Sequence, residues 1–144
     1  MPTKSAVAYT HSESAKEAAL DIASQISSKM EGIADALIVF ASSKYDYIEL
    51  LNSLQEHCRP KQIIGCSSAG EFIGGMKGEG AISVLALQST DMLFNVIKGV
   101  GLRENRAETA KELSSQLIGT SKPIYKHRSV LLLADALAGY TDEL

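Results

Sequence analysis

An unbroken apolar run, Ala36-Leu37-Ile38-Val39-Phe40-Ala41, constrains the fold of this chain more than any other stretch. It has no polar residue to turn toward water on either side. As a strand it therefore needs cover on both faces, the setting of a central strand in a helix-flanked sheet. The sequence before it supplies a helix. Ser14 and Glu17 have capping-box spacing, and Ala15, Ala18, Ala19, Ile22, Ala23, Ile26 and Met30 fall on one stripe at the helical period. Gly32 is placed to end that helix, and residues 5–10 ahead of it read as a first short strand. A second helix follows the run, opened by Asp46 with Glu49 and stopped by Pro60. It is expected to turn Tyr47, Ile48, Leu51, Leu54 and Cys58 inward.

Residues 62–66 read as a third buried strand. Two more are expected at 81–88 and 92–100, joined only by Ser89-Thr90-Asp91. A connection that short permits an antiparallel hairpin and nothing else. A helix over 105–118 would turn Ala107, Ala110, Leu113 and Leu117 inward and end at Gly119. Residues 129–134 form a last apolar strand. The order predicts an α/β fold: a mixed sheet with flanking helices and an antiparallel hairpin. The sequence stops shortly after that last strand, where a further covering helix is expected, so the chain reads as a piece of something longer; the alternative is a chain that simply ends on an edge strand.

Composition narrows the function classes. A net charge of -3 provides no broad basic field, which argues against nucleic acid or an anionic membrane as the main partner. The compact basic stretch from Lys122 to Arg128 reads as a solvated loop. No segment approaches the roughly 20 apolar residues of a membrane helix, and the apolar run Ala6-Val7-Ala8 is too short for a signal-peptide core. The cytoplasm is the expected compartment. Cys58 and Cys66 form neither a disulfide framework nor a metal-ligand pattern.

The chemistry concentrates in Gly65-Cys66-Ser67-Ser68-Ala69-Gly70-Glu71. A buried strand empties there into a turn, and the carboxyl edge of a sheet is the usual ligand position in α/β folds. Ser68 and Glu71 have capping-box spacing, which predicts a helical turn through Phe72 and Ile73, ended by Gly74-Gly75. Free N–H groups at such a turn attract a carboxylate or phosphate. Glu71 would repel a phosphate, so a zwitterion suits the motif better: N–H groups on its carboxylate, Glu71 near its ammonium. The bland alternative is that Ser68 and Glu71 only cap a short helix.

Catalytic readings fare worse, and no enzyme is expected. A hydrolase elbow needs Gly-x-Ser-x-Gly, but Ala69 stands in the last place around Ser67. Cys66 could act as a nucleophile only if the turn lowered its pKa. The stretch from Gly74 to Gly80 lacks the Gly-Lys-Ser/Thr ending of a P-loop and reads as a loop over the site. His11, His57 and His127 show no metal-ligand spacing, though any one could serve as an axial haem ligand. Asp135, at the end of the last apolar run, is either a helix cap or a ligand contact.

Taken with the run 36–41 and the segment Leu131 to Gly139, the motif resembles the N-terminal FIST domain, named from F-box and intracellular signal transduction proteins. The family hallmark is similar to Gly-Cys-Ser-Thr-Ala-Gly-Glu; here Ser68 keeps the hydroxyl and loses a methyl. The segment Ala134-Asp135-Ala136-Leu137-Ala138-Gly139 is similar to a later family stretch, with Ala136 where glycine is common. The resemblance implies that residues 1–144 are the N-terminal part of a small-ligand sensory domain, cut short at its C-terminal end. It implies an amino acid or other small polar ligand at Gly65, Cys66, Ser67, Ser68, Ala69, Gly70, Glu71 and Asp135, with no cofactor. Partners implied are that ligand and a C-terminal FIST or signalling domain. Haem-based gas sensing is the family's alternative.

Overall fold

The computed structural model describes residues 3–122 and 124–135. The chain divides into two compact units, Met1–Phe94 and Asn95–Leu144. The first contains β1 (Lys4–Thr10), α1 (Ala15–Lys29), β2 (Ala36–Ser42), α2 (Tyr47–Cys58), β3 (Gln62–Ser68), β4 (Glu71–Ile73), β5 (Met76–Gly78) and β6 (Ile82–Gln88). Its main sheet has the order β1-β6-β2-β3, with β4 and β5 as a separate small hairpin. β6 runs antiparallel to both β1 and β2, whereas β2 and β3 are parallel. β1, β2 and β3 therefore all point the same way, and their C-terminal ends share one edge of the sheet. The expected α/β class with a mixed sheet is correct.

Register fixes what each face carries. The rows Ala6–Ala86–Leu37–Ile63 and Ala8–Val84–Val39–Gly65 lie on one face. Here α1 contributes Ala15, Ala18, Ala19, Ile22 and Ile26 and α2 contributes Leu50 and Leu54 to one core. The opposite face carries the row Val7–Leu85–Ile38–Ile64, in which Val7 is exposed and the other three are half-buried. Helix starts follow the sequence closely. Ser14 caps α1 by accepting from the Glu17 amide, and Asp46 caps α2 by accepting from Ile48 and Glu49.

Several expectations need correction. Residues 92–100 are not a strand. Both edges of β6 are already taken, by β1 and by β2, so a hairpin partner has nowhere to pair. The inward face of α2 is Leu50, Ser53 and Leu54, while Tyr47, Ile48 and Leu51 are exposed. Its apolar arc is wider than the arc the sheet covers, and periodicity alone placed the centre too far round.

In the second unit α3 (Arg106–Ser115) starts at Asn105 as expected, but Thr109 is its buried residue rather than an alanine–leucine stripe. The Thr109 hydroxyl lies 3.0 Å from both the Val100 and Asn105 carbonyl oxygens, which explains its burial. Residues 129–134 are not a strand either; Val130, Leu131 and Leu132 are exposed. Among the described residues of this unit there is no strand to pair with, so an apolar run alone did not suffice. Residues 136–139 of the Ala134–Gly139 similarity lie outside the described residues.

Candidate functional site

β3 delivers the motif to the C-terminal edge of the sheet. Gly65 sits where β3 approaches β2 closely: a Cβ there would lie 2.1 Å from the Val39 carbonyl oxygen. No other residue fits without moving one of the two strands. Cys66 pairs in register with Phe40, Ser67 with Ala41 and Ser68 with Ser42. Cys66, Ser67, Ala69 and Gly70 are exposed, so their surface is open to a ligand.

Beyond Gly70 the chain does not enter a helix. Glu71 begins β4, which pairs with β5 through a turn at Gly74 and Gly75, both at positive φ. The Ser-x-x-Glu spacing is used in another way: the Ser68 hydroxyl donates to Glu71 Oε1 at 2.6 Å. The Ala81 amide donates to Oε2 at 2.9 Å. Glu71 is only 2% exposed. Its carboxylate thus ties the last residue of β3 to the residue before β6, across the end of β2. Among the described residues, no lysine or arginine forms an ion pair with it. An ionised carboxylate is costly to bury without a cation, and hydrogen bonds offset only part of that cost.

Two buried tyrosines complete this end of the sheet. Tyr9 Oη is 2.9 Å from His11 Nε2 and 3.4 Å from the Glu71 carbonyl oxygen. The two rings meet edge to face. Tyr45, which follows β2, donates to the Ser12 carbonyl at 2.6 Å, and burial pushes its pKa up. Gly78 of β5 lies against this pair: a Cβ there would come within 2.6 Å of His11 Cε1 and 3.0 Å of Tyr9 Oη. Between the hairpin and the motif lies a concavity lined by Gly70, Glu71, Phe72, Lys77, Gly78 and Glu79. Sequence reading singled out neither tyrosine. Tyr9 carried one signal, a phenolic hydroxyl after the apolar run Ala6-Val7-Ala8 that needs a partner when buried, whereas Tyr45, between Lys44 and Asp46, carried none.

The other end of the sheet has its own carboxylate. Asp35 accepts from the Ser89 amide at 2.7 Å and pairs with Lys61 Nζ at 2.6 Å. The Lys61 side chain beside it, then the Ser89 amide, hold its carboxyl below the usual value. Lys61 immediately precedes β3 and Ser89 immediately follows β6.

Of the other candidates, Asp135 belongs to the second unit, where its carboxylate lies 3.6 Å from the Arg103 guanidinium. His11 Nε2 is engaged by Tyr9, His57 Nε2 is buried without a partner, and His127 is exposed in the second unit. Axial haem ligation needs an imidazole nitrogen free to face the macrocycle. Neither His11 nor His57 offers its Nε2 in that way, whereas His127 is exposed. Among the described residues no cluster of His, Cys, Asp and Glu could hold a metal ion, and no helix is long and apolar enough to cross a membrane.

A family model described as the FIST N domain matches residues 35–144 of the chain. No curated protein and no solved structure gives a match.

Proposed function

The chain belongs to the FIST N domain family, and on that premise we propose that it binds a small zwitterion, an amino acid or a close analogue, at the turn after β3. The family is consistent with a sensory domain in signalling. The observation that carries the finer reading is Glu71: a residue that lines a concavity beside exposed Gly70 and whose buried carboxylate is unpaired with any cation among the described residues, so that a ligand must reach it by displacing or sharing the Ser68 or Ala81 hydrogen bond. A ligand ammonium supplies the missing positive charge. Ser67, Ala69 and Gly70 are exposed, and their backbone amides are the groups this reading assigns to the ligand carboxylate.

Binding is the role rather than turnover. Glu71 is held by Ser68 and Ala81, and Cys66 has no base assigned to it. The two reduced thiols fit a cytoplasmic setting. The output partner in this reading is a C-terminal FIST or signalling domain. A thermal-shift screen of the standard amino acids and small carboxylic acids tests the reading. Saturable stabilisation by one or a few amino acids is expected, since a ligand specific to the folded state adds RT ln(1 + [L]/Kd). A flat response across the panel contradicts it.

A further inference from the structure

Tyr9 stands between two acceptors with one proton to give. Its hydroxyl lies 2.9 Å from His11 Nε2 and 3.4 Å from the carbonyl oxygen of Glu71. When His11 is neutral and accepts at Nε2, the phenol proton goes to the imidazole and the longer contact has no hydrogen in it. When His11 is protonated, Nε2–H becomes the donor and Tyr9 Oη its acceptor. The phenol proton is then free to turn to the Glu71 carbonyl, the first residue of β4. We propose that His11 and Tyr9 form a proton-operated latch that tightens the β4–β5 hairpin over the ligand turn when the imidazole is charged.

The surroundings suit a latch. Tyr9 is 4% exposed, so water is a poor substitute partner for its hydroxyl. His11 is exposed and can exchange its proton with solvent. Gly78 of β5 packs on both rings without a side chain between, so hairpin and relay move together. Among the described residues His11 meets the Tyr9 phenol of β1 and the Gly78 backbone of β5. The Glu71 carboxylate of β4 is occupied by Ser68 and Ala81. The charged neighbours of Gly78 in the chain are Lys77 and Glu79, one of each sign. In the charged state the His11–Tyr9 bond is charge-assisted and stronger than its neutral form, and it polarises the Tyr9 hydroxyl toward the Glu71 carbonyl.

The role of this latch in sensing rests on the ligand reading above, but the latch itself is measured without ligand. Amide hydrogen exchange of the full chain at about pH 8 and about pH 5.5 spans the range in which an imidazole changes charge. After correction for intrinsic rates, the amides of Glu71 and Gly78, which face each other as a hydrogen-bonded pair of the hairpin, should gain about three- to tenfold protection at the lower pH. His11→Gln and Tyr9→Phe should each abolish that gain. In the wild-type protein, the His11 imidazole 15N shifts and the hairpin amide shifts should share one midpoint, which holds the test open if either variant fails to fold. Equal protection at both pH values, a gain that survives in His11→Gln, or unrelated midpoints would overturn the latch. Loss of the amino-acid response with the latch intact would overturn only the ligand reading.

Discussion

Asp35 and Glu71 perform the same mechanical task at opposite ends of one sheet, by different chemistry. Each reaches across β2 to hold β3 on one side and β6 on the other: Asp35 through Lys61 and Ser89, Glu71 through Ser68 and Ala81. Asp35 does so with a lysine that is largely in water, its side chain 68% exposed. Glu71 does so in the interior, with a hydroxyl and an amide and, among the described residues, no cation. An ordinary fold fastener has the first form. The second keeps a carboxylate without a cation among the described residues, at the edge where α/β sheets bind ligands. In the proposed reading that difference separates a scaffold end from a ligand end.

The comparison breaks most sharply if the two carboxylates are removed in turn. Glu71→Ala leaves the Ala81 amide buried without an acceptor and should cost about 2–3 kcal/mol of stability in urea unfolding. A cost below that of the Asp35 variant would mean that Glu71 is not a clamp. Asp35→Asn should cost about 0.5–1 kcal/mol, because an exposed ion pair is screened and the Ser89 bond is retained. Glu71→Gln keeps both hydrogen bonds, with the amide group donating to Ser68 Oγ. It should stay near wild-type stability while losing the ligand response, which separates charge from support.

Acid sharpens the contrast. The Asp35 carboxyl is held below its ordinary value of 3.8, so the unfolded chain takes up its proton more readily than the folded one. The stability it adds is complete above the unfolded value and is lost as pH falls from there through the lower folded value. Unfolding free energies between about pH 5 and pH 2.5 should therefore fall less steeply in Asp35→Asn than in the wild type. An unchanged slope would show that the Lys61 pair is not formed in solution. The smallest effect is chemical. Burial pushes the Cys58 thiol up to about 11, so iodoacetamide at neutral pH should modify exposed Cys66 and spare Cys58.

Legibility in the sequence tracked locality. Helix starts at Ser14, Asp46 and Asn105 were readable because a cap and its amides lie within one turn. The central strand was readable from its apolar run. The 92–100 hairpin was misread because the pairing of β6 with β1 joins residues far apart in sequence, and no local signal announces it. The Ser68–Glu71 pair was found by its spacing, yet the same spacing serves a capping box or a direct side-chain bond. Only the hairpin partner β5 and the Ala81 amide decide between them. Asp35 carried no signal at all, since both its partners come from distant segments.

Isothermal titration of the wild type, Glu71→Gln and Asp35→Asn tests the central claim most directly. Each would be titrated with the amino acid that stabilises best and with its des-amino acid. The account predicts saturable binding of the amino acid to the wild type and Asp35→Asn, at least tenfold weaker binding to Glu71→Gln, and no binding of the des-amino acid, a tenfold loss being about 1.4 kcal/mol. Equal binding of the two compounds, or undiminished binding to Glu71→Gln, would contradict it.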